Sequence, residues 1–191
     1  MKQLLLLLLF GSTLIVAPEK DFYQKLSDAA ILLTKDDVVY DGTYRKIPYP
    51  NGDVPKGTGV CTDVVIRAYR KLGIDLQKEV HEDMKQNFSK YPKKWGLKST
   101  DTNIDHRRVP NLQTFFTRKG QSLAVTDKPS NYKPGDIVTW MLSGNVPHIG
   151  IVVNKKNMWG TYMVVHNVGR GQVLEDYLFE YPITGHYRYK K

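Results

Sequence analysis

The single cysteine of the chain, Cys61, lies where a glycine-rich stretch meets a helical pattern. Apolar residues recur from Val60 to Leu72 at the spacing of one face of an α-helix, and Gly73 is a typical residue to end it. Unpaired N–H groups and the helix dipole favour an anion at a helix start, so we expect a thiolate to form there closer to neutral pH. A buried, unreactive cysteine is the competing interpretation.

Two of the five histidines, His148 and His166, lie in neighbouring strand patterns. If this hairpin pairs about Asn157, the two histidines lie directly opposite each other on one face, with Cβ atoms roughly 4.5–5.5 Å apart. A shift of one residue would place them on opposite faces. Together with Cys61 they would supply a nucleophile, a base that pairs with the thiolate (His148) and a residue that orients the base (His166), with Asn167 as the alternative orienting residue.

The backbone N–H of Cys61, together with a neighbouring donor, is the expected oxyanion hole at this helix start. Zinc bound through Cys61, His148 and His166 is a weaker alternative, because the short spacings of metal ligands are missing. We therefore predict no metal and no cofactor.

A second polar cluster spans residues 103–110. Its arginines offer forked donors that suit a substrate carboxylate, although a salt-bridged helix start is an equally simple interpretation. The residues assigned to substrate binding are Asp63, His106, Arg107, Arg108 and Trp140.

The N-terminus has the pattern of a secretory signal, since Lys2 precedes a leucine-rich run that is short for a membrane span. We predict a signal peptide over residues 1–17, one domain over residues 18–191, and export to the periplasm, envelope or exterior. A lone cysteine in an exported protein forms no disulfide within the chain and suggests a buried or a reactive thiol.

The formal net charge is +9, which favours anionic partners. For an exported protein we expect peptidoglycan or another anionic envelope polymer rather than nucleic acid, and a monomer with no stable transmembrane span after processing. A generally solvated basic surface is the alternative explanation of the charge.

The elements that must position these residues follow in two blocks. Helical patterns dominate the first part of the chain, and strand patterns dominate the last third, so the order predicts an α+β fold with N-terminal helices packed on a C-terminal antiparallel sheet. The predicted helices cover 21–33, 60–72, 77–88 and 109–116, with Gly73 and Gly120 as the residues that end the second and the fourth; the predicted strands cover 137–140, 148–153, 162–166 and 185–189, with a type II turn at Pro134-Gly135.

The order of a helix-start cysteine, a Pro-Gly-Asp turn, His148-Ile-Gly-Ile-Val and a strand ending in His166 resembles the NlpC-type cell-wall peptidases. The chain is more closely similar, over about residues 20–190, to a bacterial exported family described only as a domain of unknown function. Four segments carry that second resemblance: Gly59–Tyr69, Asn103–Leu112, Pro134–Trp140 and Ile183–Tyr189.

The NlpC resemblance implies a papain-like cysteine hydrolase with Cys61, His148 and His166 as catalytic residues. It departs at the nucleophile, where those enzymes usually have Asp-Cys-Ser-Gly and this chain has Val60-Cys61-Thr62-Asp63. Because those neighbours help NlpC enzymes to recognise the stem peptide, the resemblance does not by itself imply the usual γ-D-glutamyl specificity.

The predicted function is cleavage of an amide bond in the bacterial envelope, in peptidoglycan peptides, by Cys-His-His catalysis. Two alternatives stay open: a non-catalytic module that binds the cell wall, and an acyltransferase on the same fold.

Overall fold

The computed structural model describes residues 19–191, so the predicted signal peptide lies outside the described residues. Within this part no helix has the length and apolar character needed to cross a membrane. The four α-helices are α1 (Phe22–Leu33), α2 (Cys61–Lys71), α3 (Leu76–Gln86) and α4 (Val109–Lys119).

The helix ends follow the local chemistry of the sequence. Asp21 caps α1 by accepting a hydrogen bond from the backbone N–H of Gln24 at 2.8 Å. Gly73 follows α2 with φ of 77°, which suits a residue without Cβ. The third helix is shorter than the predicted 77–88 segment, because it ends at Gln86 and a separate 3₁₀ turn follows.

The last third of the chain forms most of an antiparallel sheet, as predicted. Two short strands, β1 (Val39–Tyr40) and β2 (Thr58–Gly59), form a separate parallel pair before α2. The strands of the sheet are β3 (Gln121–Ser122), β4 (Ile137–Leu142), β5 (Val146–Lys156), β6 (Tyr162–His166), β7 (Val173–Glu175) and β8 (Ile183–Arg188). Their order in the sheet is β3-β8-β4-β5-β6-β7.

The sheet carries apolar residues on both faces, which is why β4 to β6 are rich in β-branched residues. One face packs on the helices through Ile149, Ile151 and Val165, in the same cluster as Cys61. The other face carries Trp140 and Val152 in a second, smaller cluster. Since alternate residues share a face, His148 and His166 belong to this second face.

The predicted type II turn precedes β4. The N–H of Asp136 donates to the carbonyl of Lys133 at 3.0 Å, and Gly135 has φ of 85° at the third turn position. A side chain at Gly135 would also collide with Tyr23 of α1, since an added Cβ would lie 2.6 Å from its backbone carbonyl oxygen. Glycine is therefore required here by both conformation and space.

Candidate active site

Cys61 is the first residue of α2, as the sequence predicts, but its thiol is buried and 6% exposed. Burial raises the pKa of this thiol to about 12, although the backbone N–H groups of Ile149, Thr62 and Cys61 itself act in the opposite direction. The expectation of a lowered pKa is therefore wrong for the resting protein, because loss of solvent outweighs the favourable amides and the negative charge of Asp63 adds to it.

Asp63 holds the start of α2 in place. Its Oδ2 accepts the backbone N–H of Val60 at 2.7 Å, and its carboxylate receives Nε and Nη2 of Arg107, each at 2.9 Å. Both side chains are almost fully buried in this pair. The cluster at 105–108 is thus partly the salt-bridged helix start that the sequence left open, and the carboxylate of Asp63 is occupied within the protein.

The two histidines meet, in a register different from the predicted one. Ile151 pairs with Val165, so one step further Gly150, not His148, lies opposite His166. An added Cβ on Gly150 would lie 3.0 Å from Cβ of His166. The shift is two residues, which preserves the face, and Nε2 of His148 lies 2.8 Å from Nδ1 of His166.

A carboxylate at the far side of His166 sets the protons of both rings. Oε2 of Glu175 lies 2.9 Å from Nε2 of His166, and Oε1 accepts Nη2 of Arg170 at 2.6 Å. A carboxylate only accepts, so neutral His166 carries its proton on Nε2 and presents Nδ1 as an acceptor. His148 must then donate from Nε2, which leaves its Nδ1 unprotonated and able to take a proton.

Buried rings surround this pair. Trp140 lies directly across from His148 on β4 with ring centroids 5.8 Å apart, and Tyr177 packs on His166 at 4.0 Å. Burial, together with the neighbouring His166, lowers the pKa of His148 to about 3, and burial together with Arg170 lowers that of His166 to about 4. Both imidazoles are therefore neutral at neutral pH.

Trp140 supports the histidine instead of lining the cleft. It is fully buried, and its indole N–H donates to the carbonyl of Leu178 at 2.9 Å. Asn167 has a comparable role near the cysteine, because its Nδ2 donates to the carbonyl of Gly59 at 3.2 Å. Neither residue presents a free group to a ligand in this arrangement.

The thiol and the imidazole pair both lie near the beginning of β5. The amide that faces the sulfur belongs to Ile149, the residue after His148. Tyr177 packs on both imidazoles, and its pKa is raised to about 12, mainly by burial, with a smaller effect of the Cys61 thiol. Among the hydrogen bonds of residues 19–191, none joins Sγ to His148. A proton transfer between them would require the thiol to turn from the Ile149 amide toward the imidazole.

A cleft of about 230 Å³ opens beside Cys61. Tyr40, Trp95 and Pro147 give it apolar walls, and Arg108 reaches it from the start of α4. His106 is buried, and burial together with Arg107 lowers its pKa to about 3, so it is uncharged at neutral pH.

Three residues near this site carried no signal in the sequence. Glu175 lies in a strand of three residues, Tyr177 in the loop that follows, and Trp95 in an irregular segment, so no periodic pattern marks any of them. Only their side-chain types, a carboxylate and two aromatic rings, suggest a place in a site. Within residues 19–191 no group of three or more His, Cys, Asp or Glu side chains is arranged to hold a metal ion.

The family is decided by comparison over most of the chain. Residues 27–189 match the family described as "Domain of unknown function (DUF1287)". The chain belongs to this family. The chain is also similar to "Uncharacterized protein YijF" of Escherichia coli (strain K12), with 49% identity over 164 residues, which cover 86% of this chain and 80% of the relative. The sequence resemblance to a family of unknown function is thereby confirmed.

Solved structures show where the fold recurs. The chain is similar to an N-acetylmuramoyl-L-alanine amidase from Bacteroides uniformis ATCC 8492, with a TM-score of 0.50, 13% identity, and coverage of 88% of this chain and 99% of the amidase. NlpC1 from Trichomonas vaginalis also matches, with a TM-score of 0.47, 17% identity and coverage of 91% of this chain. The chain spans about half the length of that NlpC protein, 47%. The α+β fold is thus shared with a solved amidase.

Proposed function

We propose that this protein is a cysteine hydrolase that cleaves an amide bond in peptidoglycan peptides, with Cys61 as nucleophile, His148 as base and His166 as the residue that orients the base. The observation that carries the proposal is the chain of contacts from His148 through His166 to Glu175, at 2.8 and 2.9 Å, next to a cysteine at a helix start. The amidase similarity supports the fold alone; the envelope substrate rests on the +9 charge, the predicted signal and that relative's description.

Catalysis starts from neutral groups, because the pKa of the thiol is raised and that of His148 is lowered. Sγ of Cys61 attacks the carbonyl carbon of the scissile amide while Nδ1 of His148 takes the thiol proton. The amide oxygen becomes an oxyanion, which the backbone N–H groups at the start of α2 stabilise.

The tetrahedral intermediate then collapses. The C–N bond breaks, the proton on Nδ1 passes to the leaving amine, and a thioester remains on Cys61. Water attacks the thioester with Nδ1 as base and releases the carboxylic acid and the free thiol. Throughout, His166 keeps Nε2 of His148 protonated, because Glu175 holds the proton of His166 on the opposite nitrogen.

The deciding experiment is digestion of purified muropeptides with the wild type and with Cys61→Ala, read by mass spectrometry. We expect products that sum to the substrate plus one water, and a loss of roughly 10³-fold or more in rate for Cys61→Ala. Cys61→Ser is the matched control, since it nearly keeps the size of the side chain and replaces the thiol by a hydroxyl, a weaker nucleophile. No Cys61-dependent product from any muropeptide would contradict the proposal.

A non-catalytic wall-binding module is the second candidate, and the buried neutral thiol favours it. It predicts that sedimentation with purified cell walls is unchanged in Cys61→Ala and that no new termini appear. Acyl transfer would instead give a product in which an added amine replaces water.

A further inference from the structure

Arg108 differs from the other arginines of the chain. All eight lie in residues 19–191, and seven have a carboxylate oxygen within 4.0 Å. Arg108 is the exception within this range, and its Nη1 is buried without a hydrogen-bond partner. An arginine that is partly withdrawn from water and lacks a carboxylate is a site that an anionic ligand would complete.

The side chain of Arg108 is held in position from two directions. Its guanidinium lies over the ring of Trp95, with Cζ 4.0 Å from the centroid. Its backbone is the N-cap of α4, where its carbonyl accepts the N–H groups of Asn111 and Leu112. Stacking occupies a face of the guanidinium, and the N–H donors at its edge stay available for a forked contact.

The nearest acidic groups do not neutralise this arginine by direct contact. Asp101 and Asp105 act on Arg108 at longer range than an ion pair. Oδ2 of Asp105 already accepts the N–H of Asp101 at 2.5 Å, and burial raises the pKa of Asp105 to about 6. Arg107 next to it is different, since its Nε and Nη2 both donate to the carboxylate of Asp63.

Arg108 and Cys61 line the same cleft. We propose that Arg108 binds a carboxylate of the substrate, so that the amide bond cleaved at Cys61 lies beside a free carboxylate. The inference rests on the proposed function and narrows its substrate class to acidic peptides. Trp95 holds the arginine, and Tyr40 and Pro147 cover the apolar part of the bound peptide.

The test compares two muropeptides that differ only in a glutamate carboxyl, free in one and amidated in the other. For the wild type we expect kcat/KM to favour the free acid by roughly 10- to 100-fold, mostly through KM. Arg108→Gln should lower the rate on the free acid to that on the amide, so that the preference disappears. Arg108→Lys should keep part of the preference, as it keeps the charge without the fork.

The matched control is Arg45→Gln, which removes the same charge from an exposed arginine already paired with Asp41. It should leave the preference intact. Equal measurable rates of the wild type on both muropeptides, or an equal loss on both in Arg108→Gln, would overturn the carboxylate site.

Binding separates this inference from the proposed function. Calorimetry with Cys61→Ala measures affinity for the same two muropeptides without turnover. A preference for the free acid that disappears in Cys61→Ala/Arg108→Gln supports the carboxylate site even if the wild type hydrolyses neither muropeptide. Absence of binding, or binding that ignores Arg108, overturns it.

Discussion

Two buried histidine–carboxylate pairs lie in this protein, and they differ in what remains free. His186 places Nε2 at 2.6 Å from Asp136 and Nδ1 at 3.1 Å from the carbonyl of Ala124, so both of its nitrogens are occupied. His166 also uses both nitrogens, but one of them contacts a second imidazole, His148. That second ring ends the chain of contacts with an unprotonated nitrogen.

The two carboxylates also differ in how deeply they are buried. Asp136 is fully buried and connects the turn before β4 to His186 and Arg188 of β8, so its contacts join parts of the fold. Glu175 is half-buried, and its other oxygen faces Arg170, whose side chain is 74% exposed. In the proposed mechanism, the same types of residue stabilise the sheet in one place and orient a base in the other. The difference between the two roles is the free Nδ1 of His148 near Cys61, which has no counterpart at His186.

The largest effect is expected from a substitution that breaks the His186–Asp136 pair. Asp136→Asn removes the charge that compensates Arg188 and His186, and loss of a partner in a buried pair costs about 3 kcal/mol or more. Urea unfolding should show this loss, while turnover per folded molecule stays unchanged. The control is Asp28→Asn, which breaks an exposed pair with Lys20 and should cost less than about 0.5 kcal/mol.

The opposite result for Asp136→Asn would contradict the distinction between a structural His186–Asp136 pair and a functional His166–Glu175 pair. If Asp136→Asn lowered turnover of the folded protein more than stability, the buried pair would belong to the active site.

Glu175→Gln is expected to have the next largest effect, on turnover. Arg170 donates to one oxygen of Glu175, so in the variant it holds the amide oxygen and leaves the NH₂ group facing His166. His166 must then accept at Nε2 and carry its proton on Nδ1. That proton points at Nε2 of His148, so His148 must carry its own proton on Nδ1 and can no longer act as a base. We expect kcat/KM to fall by about 100-fold with little change in stability.

Removal of the arginine gives a rescue that a structural role would not show. In Arg170→Ala/Glu175→Gln the amide can turn its oxygen to His166, so part of the activity should return. Glu175→Ala, which introduces no donor, should lose less activity than Glu175→Gln. If Gln and Ala variants were equal and Arg170→Ala gave no recovery, Glu175 would not set the protons of the imidazoles.

Strand periodicity explains why the histidine pair was predictable. A period of two fixes the face of a residue, and an error of two residues in register leaves the face unchanged. The sequence therefore predicts contact between His148 and His166 although it misplaces their register. It does not reveal Glu175, because β7 has three residues and no alternation over that length is distinctive.

Burial was the harder quantity to predict. The position of Cys61 at a helix start is correct, yet its pKa moves in the opposite direction because packing against β5 removes water. Likewise, the four-residue cluster at 105–108 was recognised as polar, but only tertiary structure shows that Arg107 is paired with Asp63 across 44 positions while Arg108 is not. The local sequence shows which charged groups are present, but the partner of each group depends on the tertiary structure.

The smallest expected effect concerns pH. Since burial lowers the pKa of His148 to about 3 and of His166 to about 4, the base stays unprotonated when the pH falls from 7 to 5. We expect kcat/KM to change by less than about twofold over this range, whereas a base with the ordinary histidine pKa near 6.5 would lose about 25-fold.

The same lowered pKa values affect stability, so activity must be measured where the chain is folded. The unfolded state takes up protons near pH 6.5 and the buried rings do not, so stability falls from there down to about pH 3–4. Circular dichroism at each pH gives the folded fraction by which the rates are divided. Arg170→Ala removes a charge that lowers the pKa of His166 and should move the acid limb upward by a few tenths of a unit. If the acid limb of the wild type lay near pH 6.5, water would have to reach the two imidazoles during turnover. The His148–His166 pair would then differ from the buried His186–Asp136 pair in its access to solvent.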